Sequence, residues 1–251
     1  MGNFYKKSRL KFECIKRVLS DTYHLDAVNK SEIEAQKKPL RSDILNYLLT
    51  SLAKNETTYL EIGVRNPAHN FSKINAGKKY SVDPGVEFRE NPVDFKLTSD
   101  EFFEMLRAGK VLTRDTRFDV VFIDGLHFAD QVERDIHNSL EFINDNGFVV
   151  LHDCNPPTEA HAREAYGYRA SPALDYWSGT TWKGFFKYRQ NKSLYSCCID
   201  TDWGVGIISK TVNLGEVSTV NNPFFEYWIL EKFRKESLNL ISFDELKKKV
   251  Q

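Results

Sequence analysis

Three apolar runs decide the reading: Tyr-Leu-Glu-Ile-Gly-Val at 59–64, Val-Val-Phe-Ile-Asp-Gly-Leu-His at 120–127, and Phe-Val-Val-Leu-His-Asp at 148–153. Each is short and nearly continuous, and each breaks into an acid or an acid beside a histidine. A fourth run, Tyr-Ser-Val-Asp-Pro at 80–84, ends the same way. Short runs with no polar face predict strands of a parallel sheet covered by helices on both sides. An open α/β sheet binds ligands outside the carboxyl ends of its strands. The four polar strand ends therefore outline one crevice, and its acids suit hydroxyls, amines or a metal ion.

Outward from these runs, the alternation of helix and strand continues. The spacing predicts strands at 58–63, 78–83, 93–98, 118–124 and 148–152. Ser42 or Asp43 is placed to cap a helix through Ile44–Leu49, and Ser99-Asp100 to cap one over 101–106. A helix over 129–144 carries Val132, Ile136, Leu140 and Ile143 on one face, and Asn146-Gly147 turns the chain into the fifth strand. Two later runs, 194–199 and 204–209, predict an antiparallel edge hairpin. The fold class is a doubly wound, mostly parallel seven-stranded α/β sheet of Rossmann-like type.

Three segments flank or interrupt this body. Residues 4–20 place apolar groups at helical spacing among Lys and Arg, which predicts an amphipathic helix packed on the main domain, with a membrane surface as the minor alternative. Residues 21–38 read as a linker or weak helix. The insertion 154–180 carries Tyr166-Gly167-Tyr168 and Tyr176-Trp177 directly after the fifth strand, so it is expected as a lid over the crevice. The organisation expected is a helical extension at 1–40, the main domain at 41–210 and a helical extension at 211–251. Trp182–Phe186 reads as core packing.

Composition narrows the function. The 251 residues hold 35 basic and 35 acidic side chains, a formal net charge of zero that argues against nucleic-acid binding. No apolar run is long enough to span a bilayer, and none follows the charged opening residues as in a secretory signal. Cys14, Cys154, Cys197 and Cys198 lack zinc-site spacing and suit reduced thiols in a cytoplasmic protein. The oligomeric state is left open.

Two constellations carry chemistry. Glu61 and Gly63 sit at the first strand-to-helix turn, where an acid can accept from an ammonium group and a glycine lets a ligand approach the backbone. Asp83 ends the second strand 20 residues after Gly63, an offset at which an acid takes both ribose hydroxyls. An amino-acid ammonium and a ribose side by side describe S-adenosylmethionine. The second constellation is Asp124, His127, His152 and Asp153. His127 or His152 could serve as general base. Alternatively Asp124 and Asp153, with His152, could hold a divalent ion such as Mg2+ that acidifies a bound hydroxyl. Asp135 and His137 read as solvated, and His69 and His161 as loop residues without a visible partner.

At these residues the chain resembles class I S-adenosylmethionine-dependent methyltransferases. It is similar to the group with an Ile-Asp-Gly-x-His fourth strand and a His-Asp fifth strand, which includes sugar and macrolide O-methyltransferases. The resemblance covers about 40–210. It implies Glu61 and Gly63 at the methionine part, Asp83 at the ribose, Ser99 and Asp100 beside the adenine, and Asp124 among the cofactor contacts. The catalytic candidates remain His127, His152 and Asp153, and related families place metal-binding acids at the two strand ends occupied here by Asp124 and Asp153. The acceptor that the resemblance implies is a sugar, glycan or other small hydroxylated molecule. Two departures stand out. The turn Gly63-Val64-Arg65-Asn66-Pro67 has one glycine where the family has two, and Asn66 is the candidate left-handed residue. Cys154 stands where a catechol-type metal site would place Asn. The rival readings are a non-catalytic scaffold of the same fold, supported by the degraded turn, and an NAD-dependent oxidoreductase. The latter would need Gly-x-Gly-x-x-Gly after the first strand, which this chain lacks.

Overall fold

The computed structural model describes residues 2–87, 90, 92–167 and 171–251, with side chains from Lys7 onward. Four strands run parallel: β1 (Thr58–Ile62), β2 (Lys78–Val82), β3 (Phe118–Ile123) and β4 (Ile143–Leu151). β5 (Tyr195–Ile199) and β6 (Val205–Ser209) form an antiparallel hairpin. β6 inserts antiparallel beside β4, and β7 (Leu240–Ile241) pairs parallel with β5. The seven-stranded order is β2-β1-β3-β4-β6-β5-β7. The chain crosses from β2 back over β1 to β3, so the switch point that gathers ligands in such sheets lies between the ends of β1 and β3.

The strands read as continuous apolar runs because both faces are buried. On one face Leu60, Ile62, Val121, Ile123, Val149 and Leu151 share a core with residues of α4 (Ser99–Arg107), α5 (Ala129–Phe142) and α6 (Thr181–Arg189). On the other, Tyr59, Val120, Phe122, Phe148 and Val150 pack with residues of α3 (Arg41–Ser51) and α9 (Phe243–Lys249). Trp182, Phe185 and Phe186 are fully buried, as the packing reading of that run expected.

Several local expectations change. The run 93–98 contributes one parallel bridge, Phe95 to Val82, rather than a strand. The Asp94 carboxylate takes the Ser81 N–H at 2.9 Å, so a side chain replaces the backbone carbonyl that would have extended the ladder. The seventh strand is instead β7, from the C-terminal segment, which also places Leu214, Leu238 and Leu246 in the cores. Asn146-Gly147 does not turn between elements. It lies in a register shift within β4, where Phe118 pairs with Ile143 and Val120 with Phe148. Thr98, not Ser99, caps α4, through a box with Glu101. In α3 the helix starts at Arg41, and the Asp43 carboxylate reaches back to the Leu40 N–H at 3.0 Å.

The N-terminal segment also differs. Residues read as a linker form α2 (Thr22–Gln36), tied down by polar side chains: Ser31 Oγ is 2.9 Å from His161 Nε2, and Glu34 Oε1 takes the Trp203 N–H at 2.9 Å. α1 (Gly2–Ser20) leads into α2. Its side chains from Lys7 to Ser20 are exposed, Leu10, Phe12, Ile15 and Leu19 among them, because Lys and Arg interrupt the apolar stripe. No helix among the described residues is long and apolar enough to cross a membrane. Two short helices, α7 (Tyr227–Lys232) and α8 (Arg234–Leu238), precede β7 and α9 in the C-terminal segment.

Candidate functional site

A cavity of about 640 Å³ opens at the carboxyl ends of β1, β2, β3 and β4. Glu61, Gly63, Asp83, Ser99, Asp124, His127, His152 and Asp153 all line it. A second cavity, about 540 Å³, lies at the starts of β1 and β2 among Thr58, Lys78 and Arg117 and holds none of the predicted residues. The size of the first suits a nucleoside joined to an amino acid.

The ladder itself fixes the strand-end residues. The N–H groups of Gly63, Asp124 and His152 donate to Val82, Ile62 and Ile123 at 2.9, 2.9 and 3.1 Å. Gly63 has φ +88°, and a Cβ there would stand 2.3 Å from the Asp124 carbonyl oxygen. The close approach that demands glycine is therefore that of β3 to β1. Asn66 does not take the left-handed conformation expected of it; its side chain instead accepts from the Ala68 N–H at 3.0 Å in a local turn. Asp153 is left-handed, φ +60°, because the next two residues turn back to the hairpin: Cys154 and Asn155 donate to the Gly204 and Trp203 carbonyls.

In one half of the cavity two acids, Glu61 and Asp135, accept from neutral groups. Glu61 Oε2 accepts from Tyr59 Oη at 2.6 Å and Asn70 Nδ2 at 2.9 Å. Burial pushes its pKa up to about 7, against the pull of those two donors. Tyr59 was legible in principle, since it lies two residues before Glu61 on the same strand face. Asp83 lines the cavity at the end of β2 and accepts from the Gly85 N–H at 2.6 Å. Ser99 Oγ accepts from Gln131 Nε2 at 3.1 Å. Asp135, expected to be solvated, is buried, accepts from Gln131 Nε2 at 3.0 Å and lines the cavity, with its pKa raised to about 6 by burial. Its neighbours Val132, Ser139 and Ile136 share the buried helix face, which was the available signal. Asp100 is a correction in the other direction: it lies outside the cavity lining, with its carboxylate at 3.2 Å from Arg134 Nε on the helix surface.

The other half is a network of charges. His152 Nδ1 is 2.9 Å from Asp153 Oδ2 and 3.3 Å from Asp124 Oδ1. Its Nε2 is 2.7 Å from Arg41 Nη1. His127 Nε2 is 3.4 Å from Asp124 Oδ1, and its Nδ1 is 3.2 Å from the Trp177 carbonyl. Asp202, in the β5–β6 turn, takes the Arg41 N–H at 2.7 Å and lies 3.3 Å from Nη1. Burial presses the Asp124 pKa up, but His152 and Arg41 outweigh it and hold the carboxyl well below its usual range. Asp202 is likewise held down at about 2, burial being overcome by His152 and Arg41. For His152, burial and Arg41 push downward while Asp153 and Asp124 pull upward, with a net rise. A doubly protonated ring would set an N–H against the Arg41 guanidinium, which can only donate. Asp202 Oδ1, 3.3 Å from the same Nε2, offers that N–H an acceptor. For His127, burial is again overcome, by Asp153 and Asp124, and its pKa rises.

Asp124, His152 and Asp153 bring one ligand atom each within 4.8 Å of one another, a donor set of two carboxylates and an imidazole that suits a divalent ion. The same Asp124 already faces a permanent cation, with Arg41 Nε 3.8 Å from its Oδ2. Arg41 and Asp202 were missed in the sequence, where one begins a helix and the other sits in a hairpin turn with no motif to mark either.

Part of the insertion borders the cavity. Tyr166, Asp175 and Trp177 line the cavity, and Trp177 stacks on His127 with centroids 5.1 Å apart. Arg163 braces the loop through the Tyr176 and Leu174 carbonyls. His161 anchors it from beneath, its Nδ1 2.8 Å from Thr158 Oγ1, with a pKa lowered to about 4 by burial and Arg163. Tyr168 falls outside the described residues.

Residues 47–154 match the family described as "Methyltransferase domain". No curated protein matches the chain. Among solved structures, the chain is similar to an O-methyltransferase from Bacillus cereus in complex with SAH: 10% identity, TM-score 0.42, covering 76% of this chain and 92% of that one. It is also similar to the methyltransferase MycE of mycinamycin biosynthesis, in complex with Mg and SAH: 14% identity, TM-score 0.45, 82% and 60% coverage. A third is the O-methyltransferase TomG from Streptomyces achromogenes, in complex with SAM: 13% identity, TM-score 0.42, 76% and 91% coverage. Identities this low say nothing about the acceptor. The family match falls on the strands whose ends build the cavity, so the part of the chain that is similar to a methyltransferase domain is the part that forms the site.

Proposed function

We propose that this chain transfers a methyl group from S-adenosylmethionine to a hydroxyl of a small polar acceptor, a sugar or glycan unit being the first choice. The observation that carries the reading is the shared cavity in which Glu61 and Asp83 stand on one side and His127 with Asp124 on the other. S-adenosylmethionine supplies an electrophilic methyl on a sulfonium. The Glu61 carboxylate, buried and held by Tyr59 and Asn70, suits the cofactor's ammonium group, and Asp83 suits its ribose hydroxyls. Ser99, Gln131 and Asp135 border the adenine end, where Asp100 no longer fits.

The acceptor oxygen attacks the methyl carbon, the C–S bond breaks, and the electron pair remains on sulfur. The acceptor proton must leave at the same time. His127 is the better placed base: its side chain is 18% exposed against 7% for His152. With its Nδ1 proton donated to the Trp177 carbonyl, Nε2 is left to take the acceptor proton. Asp124 and Asp153 stabilise the imidazolium that forms. His152 serves as a buried link between Asp153 and Arg41. Tyr166 and Trp177 offer ring faces to a sugar, and Asp175 offers it an acceptor. The insertion 154–180 acts as the lid, flanked by helical extensions at 1–40 and 211–251 around the body. The four free thiols, three of them buried, suit a cytoplasmic setting.

Calorimetry with S-adenosylmethionine, followed by labelled-methyl uptake across sugar, nucleotide-sugar and phenol panels, tests this. Binding with uptake into a hydroxyl is the expected result. Absence of cofactor binding would favour a scaffold, and uptake confined to phenols would overturn the acceptor class.

A further inference from the structure

The cavity contains a charge that neither cofactor binding nor proton removal calls for. Arg41 is the first residue of α3 and precedes the segment that matches the methyltransferase family, which begins at 47. Its side chain nevertheless reaches the floor of the transfer half. Asp202 pins it from behind, through its backbone N–H at 2.7 Å and Nη1 at 3.3 Å. Nη1 meets His152 Nε2 at 2.7 Å, and Nε stands 3.8 Å from Asp124 Oδ2, buried and without a hydrogen-bond partner.

Asp124, His152 and Asp153 form the metal-competent group found among the described residues. Their donors are already engaged. His152 Nε2 is taken by Arg41, and its Nδ1 faces Asp153 and Asp124 at 2.9 and 3.3 Å. A guanidinium cannot give up its charge. A divalent ion on Asp124 and Asp153 would stand beside it in a site where solvent screens little.

We propose that Arg41 is the built-in counter-ion of this acid cluster, so that the chain holds Asp124 and Asp153 without a metal and a divalent ion binds only when Arg41 is displaced. Because Asp202 fixes the guanidinium from the hairpin side, its place does not depend on Asp124 alone. The arrangement separates this chain from a metal-loaded site with the same acids: the charge comes from the start of α3. This deepens the reading of the proposed transfer site and rests on it only for location.

The test is a titration of the full chain with Mn2+, read by the loss of the free-ion resonance signal, with Mg2+ as competitor. Wild type should bind in the millimolar range or not at all. Arg41→Gln should tighten Mn2+ by about tenfold or more, a change of about 1.4 kcal/mol or more. Adding Asp124→Asn should abolish the gain. Arg41→Lys, which keeps the charge, should behave as wild type. A micromolar Mn2+ site in the wild type overturns the proposal whether or not the variants fold, and so does an unchanged or weaker affinity in folded Arg41→Gln. S-adenosylmethionine binding to the wild type is measured in parallel, so failure of the functional reading is seen separately from failure of this one.

Discussion

The two halves of the cavity solve the burial of acids in opposite ways. In the cofactor half, Glu61 and Asp135 are buried with neutral partners, Tyr59 and Asn70 for one and Gln131 for the other, and their pKa values rise to about 7 and about 6. In the transfer half, Asp124 and Asp202 are buried against His152 and Arg41, and both are held below the usual carboxylate range. A neutral donor stabilises a carboxylate less than a cation does, so desolvation wins in the first half and Coulomb attraction in the second. Glu61 and Asp135 thus hold their carboxyls with neutral donors, and a ligand can bring them a positive charge. The transfer half already contains its own.

The largest expected effect lies where the transfer half meets the acceptor. His127→Gln should lower the methyl-transfer rate by roughly 10²–10⁴-fold, the scale of a lost general base, with S-adenosylmethionine affinity retained. Single-turnover rates beside calorimetric affinities check this, and a rate within a few-fold of wild type would move the role to His152. Next comes the balance of charges. Asp202→Ala leaves Arg41 and His152 without their hairpin partner and should cost about 3–5 kcal/mol in urea unfolding. A loss below about 1 kcal/mol would mean that solvent, not pairing, neutralises this half.

The halves should also respond to pH with opposite signs. Asp202 has its folded pKa depressed from 3.8 to about 2. Its contribution, about 2 kcal/mol, is present above the unfolded value and disappears as pH falls through the folded one. Glu61 is raised from 4.5 to about 7. The folded state therefore binds the extra proton in that window, and stability falls by up to about 3 kcal/mol as pH rises across it. An ammonium-bearing ligand prefers the ionised acid, so S-adenosylmethionine should bind more tightly as pH rises through about 7, with proton release. Glu61→Gln should flatten that slope and weaken binding by about 1–3 kcal/mol. Calorimetry in buffers of different ionisation enthalpy reads both, and a slope that survives in the variant would assign the proton elsewhere. The smallest contrast is between Asp83→Ala, expected to weaken the cofactor by roughly 1–3 kcal/mol, and Asp100→Ala, expected to change it by less than about 0.5 kcal/mol. Equal losses would return Asp100 to the adenine site.

Much of this was legible along the chain. Apolar runs that end in acids determined the parallel strands, and the rule that ligands gather at strand ends placed Glu61, Asp83, Asp124 and His152 around one opening. These signals are local: a periodicity, a turn, an acid after a run of valines. The run 93–98 shows the limit, because the Asp94 side chain replaced a ladder hydrogen bond and left one bridge. The helix at 22–36 shows another, because its burial depends on Ser31 and Glu34 meeting His161 and Trp203.

The sequence by itself determined that the sheet is mostly parallel and which acids stand at its strand ends. Tertiary structure alone decided how those acids are charged. Arg41 meets His152 across 111 residues and Asp202 across 161. No pattern in a linear chain marks such a pairing, since the energy that sets a buried charge depends on which opposite charge folding brings beside it and how much water is removed.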